Sequence, residues 1–232
     1  MSTYLYVPYG FGNTVSVIDT ANDSVVTTIF VGGISADAVA ASPDGKFVYV
    51  TNESGFVSVI DTSTNLVVTN ITLPGVASLI ALSPDGTRAF VTSYTSGGGV
   101  FVIDTADNSF VTTIPVGTAP YDVIFSPDGS RAYVSNHGSG SVSVINTADN
   151  TVLSTINVAN APLMLALSPD GTHLYVAGSA LAVIDIVHNV VTTIAGVGGY
   201  SVVVSPDGAH AYATNGNDIS VMSYAGTWVM TE

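Results

Sequence analysis

Apolar and polar residues alternate in short runs along the whole chain, and apolar residues at helical spacing are not sustained anywhere. The stretch from Ala36 to Leu73 shows the unit. An apolar run, ADAVAAS, ends in SPDG and is followed by FVYVTN (Phe47–Asn52), VSVIDT (Val57–Thr62) and LVVTNITL (Leu66–Leu73). Val, Ile, Thr and Tyr dominate these runs, and such side chains fit a pleated surface. Within SPDG, proline presets the first corner, aspartate can accept from the backbone ahead, and glycine tolerates positive φ. The pattern predicts four short strands joined by tight turns. DTANDS, DTADNS and NTADNT supply similar turn chemistry between the third and fourth strands.

SPDG returns at Ser42, Ser83, Ser126, Ser168 and Ser205, at spacings of 37 to 43 residues. Four strands in a period of about forty residues is the plan of a β-propeller blade. The second strand occurs six times, as YLYVPY, FVYVTN, AFVTSY, AYVSNH, LYVAGS and AYATNG, and the third and fourth also recur six times. The first strand occurs five times. The expected architecture is a single all-β domain over residues 1–232: a β-propeller of six four-stranded blades whose first blade lacks its inner strand. Three endings compete for that gap. The first blade keeps three strands, Thr227–Thr231 crosses over to complete it, or a neighbouring chain supplies the strand. Spacing assigns WVMTE to the sixth blade and so favours the first ending.

YVTN at Tyr49–Asn52, preceded by SPDG and followed by VSVIDT, resembles the YVTN-repeat β-propeller family of archaeal and bacterial surface-layer-like proteins. The resemblance covers nearly the whole chain. It implies a propeller fold and a presumed structural or adhesive role at the cell surface. Related propellers include lyases, lactonases and quinone or haem enzymes, so the fold does not fix the activity. Such enzymes lead one to expect an axial histidine pair, an acidic catalytic residue or a basic anion clamp. No such set can be placed residue by residue on this chain.

Composition narrows the partners. The net charge is −14, with 17 acids against Lys46, Arg88 and Arg131. So few cations cannot neutralise phosphates, which argues against nucleic acid and anionic membranes. No apolar run approaches the roughly 20 residues of a bilayer-spanning helix, so membrane insertion is not expected. Cysteine is absent, which removes thiol and disulfide chemistry. The first twenty residues lack the pattern of a signal peptide, although the resemblance points to an extracellular or cell-surface setting.

Turn connectivity sorts the remaining chemistry onto two ends of the blades. Asp44, Asp85, Asp128, Asp170 and Asp207 lie in the SPDG turns, and Asp19, Asp61, Asp104 and Asp185 end third strands at the same end. Turn capping explains these acids better than calcium, which wants six to eight converging oxygens. Lys46, Arg88, Arg131, His173 and His210 stand beside them as expected surface ion pairs, and His188 as a solvated turn residue.

The opposite end varies from blade to blade, and a specific site would arise there. Its candidate ligand-binding residues are Tyr9, Phe11, Asn52, Glu53, Tyr94, Tyr121, Asn136, His137, Tyr200 and Asn215. As a shallow aromatic and polar mouth they suit a protein, peptide, glycan or other neutral ligand. The competing reading is that they cap the blades and pack together. No metal, cofactor or catalytic set is assigned, since the four histidines lack the spacing that pairs ligands. The expected function is a non-enzymatic binding or structural module. The alternative is a small-molecule enzyme, lyase- or lactonase-like, working around His137 with Glu53 or Asp122. Association through the incomplete first blade is a further expectation.

Overall fold

A computed structural model describes residues 3–10, 12–95, 97–158, 161–224 and 228–231, with the backbone alone for Asn215, Tyr224 and 228–231. The described residues form antiparallel sheets in chain order. The first has three strands, β1 (Tyr4–Tyr9), β2 (Thr14–Asp19) and β3 (Ser24–Phe30). The second comprises β4 (Ala36–Ala41), β5 (Phe47–Asn52), β6 (Phe56–Asp61) and β7 (Leu66–Thr72). The third comprises β8 (Ile80–Leu82), β9 (Arg88–Thr92), β10 (Val100–Asp104) and β11 (Ser109–Ile114). In the fourth are β12 (Pro120–Phe125), β13 (Arg131–Asn136), β14 (Ser141–Asn146) and β15 (Thr151–Asn157). The fifth holds β16 (Leu165–Leu167), β17 (His173–Val176), β18 (Leu181–Asp185) and β19 (Val190–Ile194). The sixth holds β20 (Val202–Val204), β21 (His210–Asn215), β22 (Asp218–Tyr224) and β23 (Trp228–Thr231). β23 pairs with β22, so Trp228–Thr231 sits where its spacing assigns it. The chain divides into two compact units, Met1–Ile114 with the first three sheets and Pro115–Glu232 with the last three.

The turns follow from local chemistry. In each SPDG, the serine Oγ donates to the aspartate Oδ1 two residues on, at 2.5 to 2.7 Å. The same oxygen accepts the backbone N–H two residues beyond the aspartate. Gly86, at φ +72°, also lies close over Pro43 of the preceding turn: a Cβ there would stand 3.1 Å from the proline Cδ. Glycine therefore serves both the corner and the stacking of one turn on the next. Between third and fourth strands, Asn65, Asn108, Asn150 and Asn189 adopt positive φ, which asparagine tolerates better than most residues.

Sheets pack face to face within each unit, and each joint uses the same two faces. In the second sheet, Val48, Val50 and Ile60 form a leading face against Val15, Val17 and Ile29 of the first. Its trailing face, with Tyr49, Val57 and Val59, packs against Ala89, Val91 and Ile103 of the third. The second unit repeats the arrangement. Tyr133, Val142 and Val144 of the fourth sheet meet Leu174, Val176 and Ile184 of the fifth. Tyr175, Leu181 and Val183 of the fifth meet Ala211, Ala213 and Met222 of the sixth. Both faces of an interior strand are therefore covered, which explains the continuous apolar runs in VSVIDT and its counterparts.

Polar bonds rivet these joints. Tyr6 donates its hydroxyl to Asn65 Oδ1, and Tyr49 to Asn108 Oδ1, each across 2.9 Å to the next sheet. Thr51 Oγ1 donates to the Ser78 carbonyl at 2.5 Å, and Ser135 Oγ to the Leu163 carbonyl at 2.6 Å. Serine and threonine in the second strands thus join neighbouring sheets near their variable ends.

Candidate functional site

The variable end of the second unit gathers the most unusual chemistry. Asp122 sits in β12 beside the end of β13, because Pro120 is opposite Asn136 and the register slips between Pro120 and Val123. Its Oδ1 accepts the Val123 N–H at 2.8 Å. Its Oδ2 accepts the Leu165 N–H at 2.9 Å, across the joint to the fifth sheet. Its own N–H donates to Ser135 Oγ at 3.0 Å. Burial of the carboxyl raises its pKa to about 6, with the two backbone donors opposing the rise. Counting from SPDG, the corresponding residues of the other four-stranded sheets are Ala38, Leu79, Met164 and Ser201, so this acid is specific to the fourth sheet.

His137 follows directly. Its backbone N–H donates to the Ala119 carbonyl at 3.0 Å, and its Nδ1 stands 3.2 Å from the Ala161 carbonyl. Neighbouring Asn136 is buried, and its Nδ2 donates to Ser141 Oγ at 3.2 Å and Ser143 Oγ at 2.9 Å. Its Oδ1 is buried and has no hydrogen-bond partner among the described residues. Tyr121 is half-buried at the start of the same strand as Asp122.

The first unit shows what an asparagine at this strand end does when both its groups are used. Asn52 is wholly enclosed. Its Nδ2 donates to the Gly32 carbonyl at 2.7 Å, and its Oδ1 accepts the N–H groups of Ser54 at 2.9 Å and Ile34 at 3.3 Å. It clamps two loops, and Gly33 leaves room for it: a Cβ at Gly33 would overlap the amide. Glu53, next to it, is exposed.

The aromatic candidates are dispersed. Tyr9 is exposed, and its ring lies over Gly12, where a Cβ would come within 2.6 Å of the ring. Tyr94 and Tyr200 are also exposed. Asn215 ends β21, and Phe11 lies outside the described residues. His137 and Asp122 share the variable end of the fourth sheet, whereas Glu53 belongs to the other unit.

At the SPDG end, acids and cations form local pairs. Lys46 Nζ is 3.2 Å from Asp44, Arg88 Nη1 is 2.6 Å from Asp104, and His188 Nδ1 is 2.7 Å from Asp185. Hydrogen bonds from Ser42 and the Lys46 backbone hold the Asp44 carboxyl down to about 2, and those from Ser126 and Ser130 do the same for Asp128. Among the described residues no three His, Asp or Glu side chains come together as a metal site. Two clefts open beside these turns. One of about 440 Å³ lies between the second and third sheets over Phe47, Tyr49 and Thr105. The other, of about 270 Å³, lies between the fourth and fifth sheets over Arg131, Tyr133 and Ile186. Sequence reasoning passed over both, because neighbouring turns create them and no single motif does.

No family model matches the chain, and no curated protein matches it. Solved structures do. The β-propeller domain of Cps50 (Swd1) from Myceliophteria thermophila is similar at a TM-score of 0.78 and 11% identity, over 98% of this chain and 82% of that one. The fold is a β-propeller. Hydrazine synthase from Kuenenia stuttgartiensis is similar at a TM-score of 0.62 and 22% identity, over 92% of this chain and 90% of that one. At these identities the likeness concerns the propeller fold alone.

Proposed function

We propose that this propeller is a six-bladed, non-enzymatic module of the YVTN type, a rigid binding or structural element at the cell surface or outside the cell. One observation carries the reading: the polar residues at the variable ends brace the backbone. Asp122 holds two backbone N–H groups, and Asn52 joins two loops. Tyr9, Tyr94 and Tyr200 remain exposed as contact area, and tyrosine combines apolar surface with a hydrogen-bonding tip. Such groups suit a protein, peptide or glycan. The test is a glycan and peptide array probed with wild type and with the single variants Tyr94→Ala and Tyr200→Ala. Loss of a captured ligand by at least about tenfold in either variant supports the reading. Unchanged binding in both removes these tyrosines from it.

A small-molecule enzyme at His137 is the second reading, favoured by the carboxyl of Asp122 with its pKa near 6 on the adjoining strand. Turnover of a lactone or ester panel that disappears in His137→Ala, while the melting temperature stays unchanged, would establish it over the first.

A further inference from the structure

The two clefts beside the SPDG turns are built from corresponding positions, one in each unit, and they differ in charge. Five residues after the SPDG serine the chain places Arg88, Arg131, His173 and His210, but Phe47 in the second sheet. The cleft between the fourth and fifth sheets, of about 270 Å³, therefore carries its own guanidinium. The cleft between the second and third sheets is larger, at about 440 Å³, and no Lys, Arg or His lines it.

The tyrosines two residues further on register the difference. Burial raises the pKa of both hydroxyls. At Tyr133 the Arg131 side chain opposes that rise, by hydrogen bonding and by its charge. At Tyr49 the carboxylates of Asp44 and Asp104 add to it, with no cation in opposition. Asp44 and Asp85 stand on the two walls of this recess, one from each sheet. Lys46 reaches Asp44 from outside the lining, with its side chain 73% exposed. Asp85 has no ion-pair partner among the described residues, and hydrogen bonds from Ser83 and Thr87 favour its charged form. Phe47 and Tyr49 supply an aromatic floor. Tyr49 spends its proton on Asn108 Oδ1, which leaves its oxygen as an acceptor.

Acceptors and carboxylates around an aromatic floor suit a planar cation that stacks and donates at once, as a guanidinium does. A metal ion wants more converging oxygens than two walls bring, and no three His, Asp or Glu side chains gather among the described residues.

We propose that the cleft between the second and third sheets binds a guanidinium group from outside the chain, stacked on Phe47 and held by Asp85 and the Tyr49 hydroxyl. It takes the place that Arg131 fills in the sister cleft. A free alkylguanidinium and the arginine of a peptide offer the same chemistry. The site lies at the SPDG end, away from Tyr94 and its variable connection, so it goes beyond the binding module proposed above and stands or falls separately from it.

Backbone amide NMR at low salt is the measurement, with ethylguanidinium as the probe and ethylurea as its uncharged counterpart. Wild type is expected to show saturable shifts at Phe47, Gly86 and Thr105 with the cation and none with ethylurea. Phe47→Arg supplies the cation from within and should weaken binding at least about tenfold. Asp85→Asn should weaken it about threefold, since that carboxylate is exposed. Arg131→Phe should open the sister cleft and bring new shifts at Gly171 and Ile186. A capped Gly-Arg-Gly peptide separates the sources: tighter binding at the same amides assigns the group to a peptide, and equal binding to a free small cation. Three results would overturn the proposal. Neither cation binds saturably, or shifts spread equally over all the acidic turns, or Phe47→Arg binds like wild type while its spectrum stays as dispersed.

Discussion

The two sides of the first sheet offer a controlled comparison. Its trailing side meets the second sheet, and there Val15 and Val17 are fully buried against Val48, Val50 and Ile60. Its leading side presents Leu5 and Val7 to solvent. Both sides are apolar, but Val15 and Val17 lie on the central strand β2 and Leu5 and Val7 on the edge strand β1, so strand position and neighbour contact together separate them. A residue in this protein is core because an adjacent sheet covers it, as in repeat proteins whose stability sums over nearest neighbours.

The largest break in the comparison comes from Ile60→Ala set against Leu5→Ala. Ile60 is enclosed in the joint, and truncation should cost about 2–5 kcal/mol in urea melts. Leu5→Ala, at a position 52% exposed, should change stability by less than about 0.5 kcal/mol. Similar losses at the two positions would show that the leading face of the first sheet is covered in solution.

A second break uses pH at the joint between the fourth and fifth sheets. Asp122 titrates at about 6 in the folded chain against an ordinary 3.8. Between those values the native chain holds a proton that the unfolded chain releases. Stability attributable to this group is therefore fully present below about pH 4 and declines as pH rises through about 6, by roughly 2–3 kcal/mol in total. The SPDG aspartates act in the opposite sense. Their carboxyls are held below 3.8, so they stabilise above that value and the contribution is lost as pH falls towards 2. Thermal melts from pH 2 to 8 should show maximum stability near pH 4, and Asp122→Asn should abolish the decline between pH 4 and 6. An unchanged decline in that variant would place its origin elsewhere.

The smallest expected effect sharpens the role of the rivets. Tyr49→Phe removes the hydroxyl that reaches Asn108 Oδ1 and should cost about 1–2 kcal/mol by denaturant titration. Tyr212→Phe, at the same strand position on the exposed trailing face of the sixth sheet, should be nearly neutral.

Much of this was legible in the residues. Alternating Val, Ile and Thr with SPDG between them specified four strands per period, and each of the five SPDG turns joins the first two strands of a four-stranded sheet among the described residues. The aspartates of the turns were readable as caps because Ser-Pro-Asp-Gly satisfies its own backbone over four residues. The variable end was less transparent. Asn52 ends β5 at the start of a connection that differs from blade to blade, the place to look for recognition, yet its amide is enclosed by Gly32, Ile34 and Ser54. The sequence offered Asp122 as a carboxylate for His137, and only the fold gave its Oδ2 a donor in Leu165, 43 residues away.

The opposite fates of Leu5 and Val48 mark the division most clearly. Local chemistry set by the sequence determined the strands, the turns and the alternation of faces, because each depends on residues a few positions apart. Only the tertiary structure decided which alternating face is core, which carboxyl is buried and which surfaces stay open. Those outcomes depend on which neighbouring sheet arrives, and the desolvation that sets them does not exist until it does.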